Sequence, residues 1–193
     1  GSVVKLEDLL TQAIEKTREI IEQKNPSMEN KDEVARQVGV GAVIFSDLSS
    51  NRIKDIVFSW EEALNFDGET GPYVQYTHAR ACSVMRKAGG AEKVKLRPEV
   101  AAQHLMDPPS WQVVKQLYLF PEKVYQAMEK LEPSIISRYL IDLAQSFNRF
   151  YHECPILAED EAVRNARLTL VQCVIVTLAG GLRLIGLEAP EQI

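Results

Sequence analysis

The fold is decided by the longest stretch of helical spacing in the sequence, EDEAVRNARLTLVQCVIVTLAGGLRLIGL, which occupies residues 159–187. Small and apolar side chains recur in it at intervals of three and four, so a helix would carry them near one face: Val163, Ala166, Leu170, Val174, Thr177, Leu178, Gly181, Leu182 and Ile185. Such a face must pack against other helices. We therefore predict that this run is one helix of a bundle.

The segments between residue 67 and this run also show helical patterns. Their predicted bounds are about 72–89, 97–106, 110–119, 121–131 and 133–152, with glycine pairs and prolines between them. Pro121 and Pro133 are each expected to begin a helix, because proline is poorly tolerated in a helix interior. Residues 67–193 are thus predicted to form an all-α domain.

The first 66 residues have a different texture. Helical spacing covers 7–24, 32–38 and 60–64, whereas 3–6, 42–45 and 56–58 are short strand candidates. Residues 3–66 are therefore predicted to be a small α+β unit, so the protein as a whole is mostly α with two domains. Gly1-Ser2 is typical of the residues left by tag cleavage, and we expect the natural protein to continue upstream.

Composition excludes several functional classes. The 193 residues are 46% hydrophobic and 25% charged, typical of a globular protein, and no run of about 18 apolar residues predicts a membrane span. Phosphate-binding loops and a nucleophile elbow are absent from the sequence. The three histidines lack metal-ligand spacing, so we expect no metal. The cysteines, which show no base near a thiol, are expected to be reduced and buried in a cytoplasmic protein: Cys82, Cys154 and Cys173.

Charge is unevenly distributed along the chain. The formal net charge is −5, which alone argues against a nucleic-acid partner. Residues 78–97 are the exception, because one acid, Glu92, faces six basic side chains there: Arg80, Arg86, Lys87, Lys93, Lys95 and Arg97. This stretch predicts a modest phosphate-contacting face.

The segment GETGPYVQYTHAR, residues 68–80, could form part of such a face. Once Pro72 begins a helix, Tyr73, Tyr76 and Arg80 fall on one side of it. Tyrosine rings can stack on unpaired bases while a guanidinium meets phosphate. Half-buried packing of both tyrosines also explains the pattern, and the pattern alone favours packing. The same alternatives apply to Tyr151, beside a predicted helix end.

Three segments resemble arginyl-tRNA synthetases of the bacterial type: residues 47–60, residues 66–80 with TGPYVQYTHAR, and the tail with LAQSFNRFY (143–151), ARL (166–168) and GLRLIGLEAPE (181–191). The similarity extends over essentially all of residues 3–193. It implies a stem-contact region at 3–66 and an anticodon-binding domain at 67–193. It also implies that tRNA is contacted by Tyr73, Tyr76, Arg80, Tyr151 and Ile193, the last standing where the family commonly ends in Met.

The two nucleotide-binding signatures of this enzyme class are absent from the chain. The resemblance therefore implies recognition of tRNA(Arg) here, without catalysis, whereas the whole enzyme would use ATP and magnesium to join arginine to the tRNA. We expect a monomer that carries no cofactor and contacts no membrane. The alternative is a free-standing paralogue of this region that binds protein or RNA.

Overall fold

The computed structural model describes residues 4–51, 53, 55, 57–93 and 98–193, and over these the chain contains helices and no β-strand. The α-helices are α1 (Leu6–Lys24), α2 (Lys31–Leu48), α3 (Trp60–Ala63), α4 (Gly71–Lys87), α5 (Pro98–Ala101), α6 (Pro108–Lys130), α7 (Ser134–Glu153) and α8 (Glu161–Leu184). Short 3-10 turns occupy Ala91–Lys93 and Ala102–His104. The mostly α fold is confirmed.

The predicted strand at residues 42–45 is wrong, because these residues lie inside α2. Gly39 and Gly41, which follow the helical segment predicted at 32–38, are packing positions within α2. A Cβ at Gly39 would lie 2.7 Å from the carbonyl oxygen of Ala13, and a Cβ at Gly41 would lie 2.9 Å from Nε2 of Gln75. Glycine thus lets α2 approach both α1 and α4 closely.

The other two strand predictions also find no support. Val4 and Lys5 have no regular structure, Leu6 begins α1, and Val57 and Phe58 are irregular. Val3 and Ile56 lie outside the described residues. The described part of residues 3–66 is therefore helical, and the small α+β unit is not present there.

Pro121 lies within a helix rather than at the start of one. Helix α6 runs unbroken through the two segments predicted at 110–119 and 121–131. Pro121 is solvent-exposed, so water can satisfy the carbonyl group that loses its helical donor. Asp107 caps the start of α6 by accepting a hydrogen bond from the backbone N–H of Ser110.

The main core lies between α4, α6, α7 and α8, with Phe45 contributed by α2. Its largest fully buried side chains include Tyr139, Leu140, Phe147 and Phe150. By length and composition α8 would also suit a membrane span, as core helices often do. Its buried side chains, among them Leu170, Val174 and Leu178, pack inside the bundle.

A smaller core joins α1 to α2. It contains Ile21, Val34, Ala35 and Val38, and the partly buried Ile193 packs against it from the far end of the sequence. Helix α2 contacts both cores, and so fixes α1 beside α4.

The three cysteines are free thiols, and two of them are buried as expected. Cys82 and Cys154 are buried as predicted, whereas Cys173 is exposed on α8. Cys173 lies outside the apolar face predicted for this run, whose Leu170 and Val174 are buried, so the prediction that Cys173 is buried is wrong.

Candidate nucleic-acid interface

The start of α4 determines where the predicted aromatic side chains lie. The Thr70 hydroxyl accepts a hydrogen bond of 3.1 Å from the backbone N–H of Tyr73, and Pro72 occupies the first turn. From this start, Tyr76 and Arg80 are one helical turn apart on the same side. The ring of Tyr76 is 37% exposed, while Arg80 is half-buried.

Arg80 brings two helices together. Its guanidinium carbon lies 5.0 Å from the ring centre of Tyr76 on its own helix and 5.3 Å from that of Tyr151 on α7. Both distances are within the range of cation–π attraction. Three of the five predicted residues therefore form one cluster, although Tyr151 is 71 positions from Arg80 in the sequence.

Tyr73 occupies a different position. Its ring is half-buried against the main core, and its hydroxyl accepts a 3.0 Å hydrogen bond from the amide nitrogen of Asn148. The same amide nitrogen donates to the Thr77 hydroxyl at 2.9 Å, and the amide oxygen accepts from the Arg80 guanidinium. Tyr73 thus lies behind the Tyr76–Arg80–Tyr151 cluster and contacts it through Asn148.

The terminal segment is attached to α4 by hydrogen bonds to its backbone carbonyl groups. Gln75 donates to the carbonyl of Glu188 at 2.8 Å, and Arg86 donates to that of Glu191 at 3.0 Å. Between them, the Nδ1–H of His78 donates to the carbonyl of Pro190 at 2.9 Å. These bonds lead the chain to Ile193, beside the cluster.

Two neighbouring cavities open at this place. One of about 450 Å³ includes Tyr151, Ser83, Arg86 and Lys87 in its lining, and one of about 340 Å³ includes Lys24, Phe66 and Asp67. Both are lined by Asn25, Tyr76, Arg80 and Ile193. The structure therefore places Tyr76, Arg80, Tyr151 and Ile193 on one concave surface, which we call the α4–α7 surface.

Aromatic and basic side chains contact one another along this surface. The Phe66 and Tyr76 rings meet edge to face with centres 6.3 Å apart, and Nζ of Lys24 lies 5.4 Å from the centre of the Phe66 ring. Asp67 is the one acid among the described side chains that line the two cavities. Of the predicted basic stretch, Lys95 and Arg97 lie outside the described residues, as does the Lys93 side chain. The described residues contain no group of acids, histidines and cysteines suited to a metal ion.

Cys82 has an imidazole neighbour that the sequence did not suggest. Its sulfur lies 3.7 Å from Nε2 of His78, one helical turn earlier. Burial lowers the pKa of His78 and raises the pKa of the Cys82 thiol to about 11. Both groups are therefore neutral near pH 7, which makes the pair a packing contact rather than a nucleophile with its base.

Comparison with known proteins identifies the family of this chain. Residues 74–193 match the family model described as DALR anticodon binding domain, and residues 1–60 match the model of the tRNA synthetases class I (R) catalytic domain. The chain belongs to the DALR anticodon-binding domain family. The resemblance to bacterial arginyl-tRNA synthetases is confirmed, and the chain corresponds to their anticodon-binding region.

Individual relatives agree with this assignment. The chain is 55% identical to an arginine–tRNA ligase of Alkaliphilus metalliredigens and 52% identical to one of Clostridioides difficile, over 100% of this chain and 33% of each relative. The arginyl-tRNA synthetase structure of Thermus thermophilus superposes with a TM-score of 0.91 at 39% identity, over 99% of this chain and 32% of that one. The chain thus spans about a third of the length of the curated relatives it matches.

The sequence did not indicate Phe66 and Lys24, which line the α4–α7 surface, or Asn148, which is hydrogen-bonded to Arg80. For Asn148 a signal existed, because it precedes Tyr151 by three residues and so shares its side of α7. Phe66 and Lys24 offered no comparable pattern, since they come from a loop and from the end of another helix.

Proposed function

We propose that this chain is the tRNA-recognition part of an arginyl-tRNA synthetase and binds the anticodon arm of tRNA(Arg). The observation that carries the proposal is the cluster of Tyr76, Arg80 and Tyr151 on a concave surface of a DALR anticodon-binding fold. The exposed ring of Tyr76 and the half-buried ring of Tyr151 would stack on unpaired loop bases, and the guanidinium would meet phosphate. Tyr73 supports this surface from behind, and Ile193 offers an apolar wall.

In this proposal the remainder of the enzyme supplies catalysis. A complete synthetase would use ATP and magnesium to attach arginine in the cytoplasm, while residues 67–193 hold the anticodon arm and residues 3–66 contact the tRNA stem. The chain acts as a monomer. An ATP–pyrophosphate exchange assay on it should show no turnover, and measurable exchange would contradict this division of work.

Binding of a synthetic tRNA(Arg) anticodon stem-loop, followed by fluorescence anisotropy, tests the proposal. We expect dissociation constants on the order of 10⁻⁴–10⁻⁶ M that weaken steeply with salt, as in largely charge-driven contact. Tyr76→Ala should weaken binding about tenfold and leave the melting temperature nearly unchanged, because the ring is substantially exposed.

The opposite result would restore the packing interpretation of the tyrosines. If Tyr76→Ala lowers the melting temperature strongly while the dissociation constant is unaltered, Tyr76 is a structural residue. If the unmodified chain shows no binding, or binding without salt dependence, the proposed function itself is wrong.

A further inference from the structure

We propose that Asn148 holds Arg80 in place as a cation that is paired with no carboxylate of the described residues, and thereby creates a site for one phosphodiester group of single-stranded RNA. This inference rests on the proposed function and assigns one part of the ligand to one side chain. Asn148 is then a positioning residue, since it acts through Arg80.

Hydrogen bonds fix the Asn148 side chain and, through it, Arg80. The Asn148 amide makes three hydrogen bonds, donating to Tyr73 and Thr77 and accepting from Arg80. The Thr77 hydroxyl in turn donates to the backbone carbonyl of Tyr73 at 2.9 Å, so α4 holds the amide in one orientation. With its Nη1 donating to Asn148 and its carbon lying 5.0 and 5.3 Å from two ring centres, the guanidinium of Arg80 has a defined position.

Arg80 differs from most other arginines in the charge of its side-chain partner. Most arginines whose side chains pair with another side chain in the described structure pair with a carboxylate: Arg18, Arg36, Arg138, Arg149 and Arg167. Arg80 differs because its side-chain acceptor is the neutral amide of Asn148. Asp67 lines one of the cavities beside Arg80, yet no ion pair joins the two described side chains. Among the residues that the structure describes, no carboxylate forms an ion pair with Arg80.

The guanidinium of Arg80 suits a phosphodiester group. A guanidinium presents several N–H donors in one plane, which matches the oxygens of a phosphodiester. Tyr76 and Tyr151 lie close enough to Arg80 for a base to stack while its own phosphate reaches the cation. Ser83 and Lys87 continue the lining of the larger cavity along α4, beyond Arg80.

Asn148→Asp tests the inference with almost no change of shape. The new carboxylate still accepts from Arg80, and the hydroxyl of Tyr73 can rotate to donate to it. The Thr77 hydroxyl can do the same by giving up its bond to the backbone carbonyl of Tyr73. The fold should persist, but the cation gains a counter-charge. We expect affinity for the stem-loop to fall about tenfold, as when a charge-assisted hydrogen bond is lost. The plot of log affinity against log salt should become shallower by about 0.7, the loss of one single-strand phosphate contact.

Gln112→Glu is the matched control, since it makes the same change in net charge on the exposed side of α6, away from both cavities. It should leave the salt slope unchanged. A purely structural role for Asn148 predicts a lower melting temperature in Asn148→Asp with an unchanged slope, and that result would overturn the inference.

Arg80 variants decide the matter should Asn148→Asp fail to fold. Arg80→Gln should flatten the slope by about 0.7, and Arg80→Lys should restore it because the charge returns. An unchanged slope in Arg80→Gln overturns the inference. If the unmodified chain binds RNA and Tyr76→Ala weakens that binding, while Asn148→Asp and Arg80→Gln do not alter the slope, the inference fails alone and the proposed function stands.

Discussion

Two surfaces of this protein expose aromatic rings, and they differ in what surrounds those rings. On the α4–α7 surface, Tyr76 and Tyr151 both contact Arg80. On α6, Trp111, Tyr118 and Tyr125 recur every seven residues and are 52%, 83% and 54% exposed. Among the described residues these three form no ring-to-ring or cation-to-ring contact, and the Tyr125 hydroxyl donates to the Glu129 carboxylate.

The difference shows that exposed rings at helical spacing do not by themselves indicate a nucleic-acid surface. By exposure alone, α6 would be the stronger candidate. The α4–α7 surface has in addition a cation held in place by a neutral partner and a concave shape lined from several helices.

The largest expected effect comes from the core beneath the α4–α7 surface. Phe147 is fully buried, and its ring centre lies 6.4 Å from that of Tyr151. Phe147→Ala should lower the free energy of unfolding by about 3–5 kcal/mol, because it leaves a cavity in the bundle. Urea denaturation measures this loss. Tyr118→Ala, the control on α6, should change it by less than about 0.5 kcal/mol.

RNA affinity separates the surfaces directly. Tyr151→Ala should weaken stem-loop binding about tenfold, since stacking on an aromatic side chain contributes on the order of 1–3 kcal/mol per base. The double variant Trp111→Ala/Tyr118→Ala should bind as the unmodified chain does. Anisotropy titrations of both variants check this. A loss of affinity in the double variant alone would move the binding surface to α6.

Two tyrosine hydroxyls sharpen the comparison further. Tyr73→Phe removes the acceptor of a half-buried hydrogen bond from Asn148, and should cost about 1 kcal/mol of unfolding free energy. Tyr125→Phe removes a hydroxyl that is bonded to Glu129 at the exposed surface, and should give no measurable change. Thermal melts of the two variants provide the measurement. Equal losses would mean that the Asn148 network is no more ordered than the α6 surface.

The smallest expected effect depends on pH. Burial lowers the pKa of His78 below its ordinary value of 6.5, so unfolding releases a side chain that takes up a proton more readily. The contribution of His78 to stability is complete above pH 6.5 and is lost as the pH falls toward the pKa of the folded state. His78→Gln should therefore lose less unfolding free energy than the unmodified chain between pH 7 and about pH 5. Parallel losses would contradict a buried neutral imidazole.

The sequence predicted the bundle well because its helices are long and periodic. Pro72 marked the start of α4, and the spacing of Tyr76 and Arg80 placed them on one side. The segment at 42–45 was harder, because a short β-branched run fits either a strand or a helix. The deciding fact was tertiary, since Gly39 and Gly41 are required by the neighbours of α2 rather than by its end.

The candidate site was also predicted only in part from the sequence. Tyr151 could be proposed from its position at a helix end and from family resemblance, but its meeting with Arg80 depends on how α4 packs against α7. Asn148 is an ordinary polar residue in its local sequence. Its importance arises from three partners on α4, which only the folded chain brings within reach.

The unequal burial of the three thiols has a practical use. Cys173 alone is solvent-exposed, whereas Cys82 and Cys154 are enclosed by the bundle. A maleimide dye should therefore couple once per native chain, with no engineered cysteine. Because Cys173 lies on α8 and outside the lining of both cavities, the dye would report on RNA capture by energy transfer from a labelled stem-loop without occupying the surface under study.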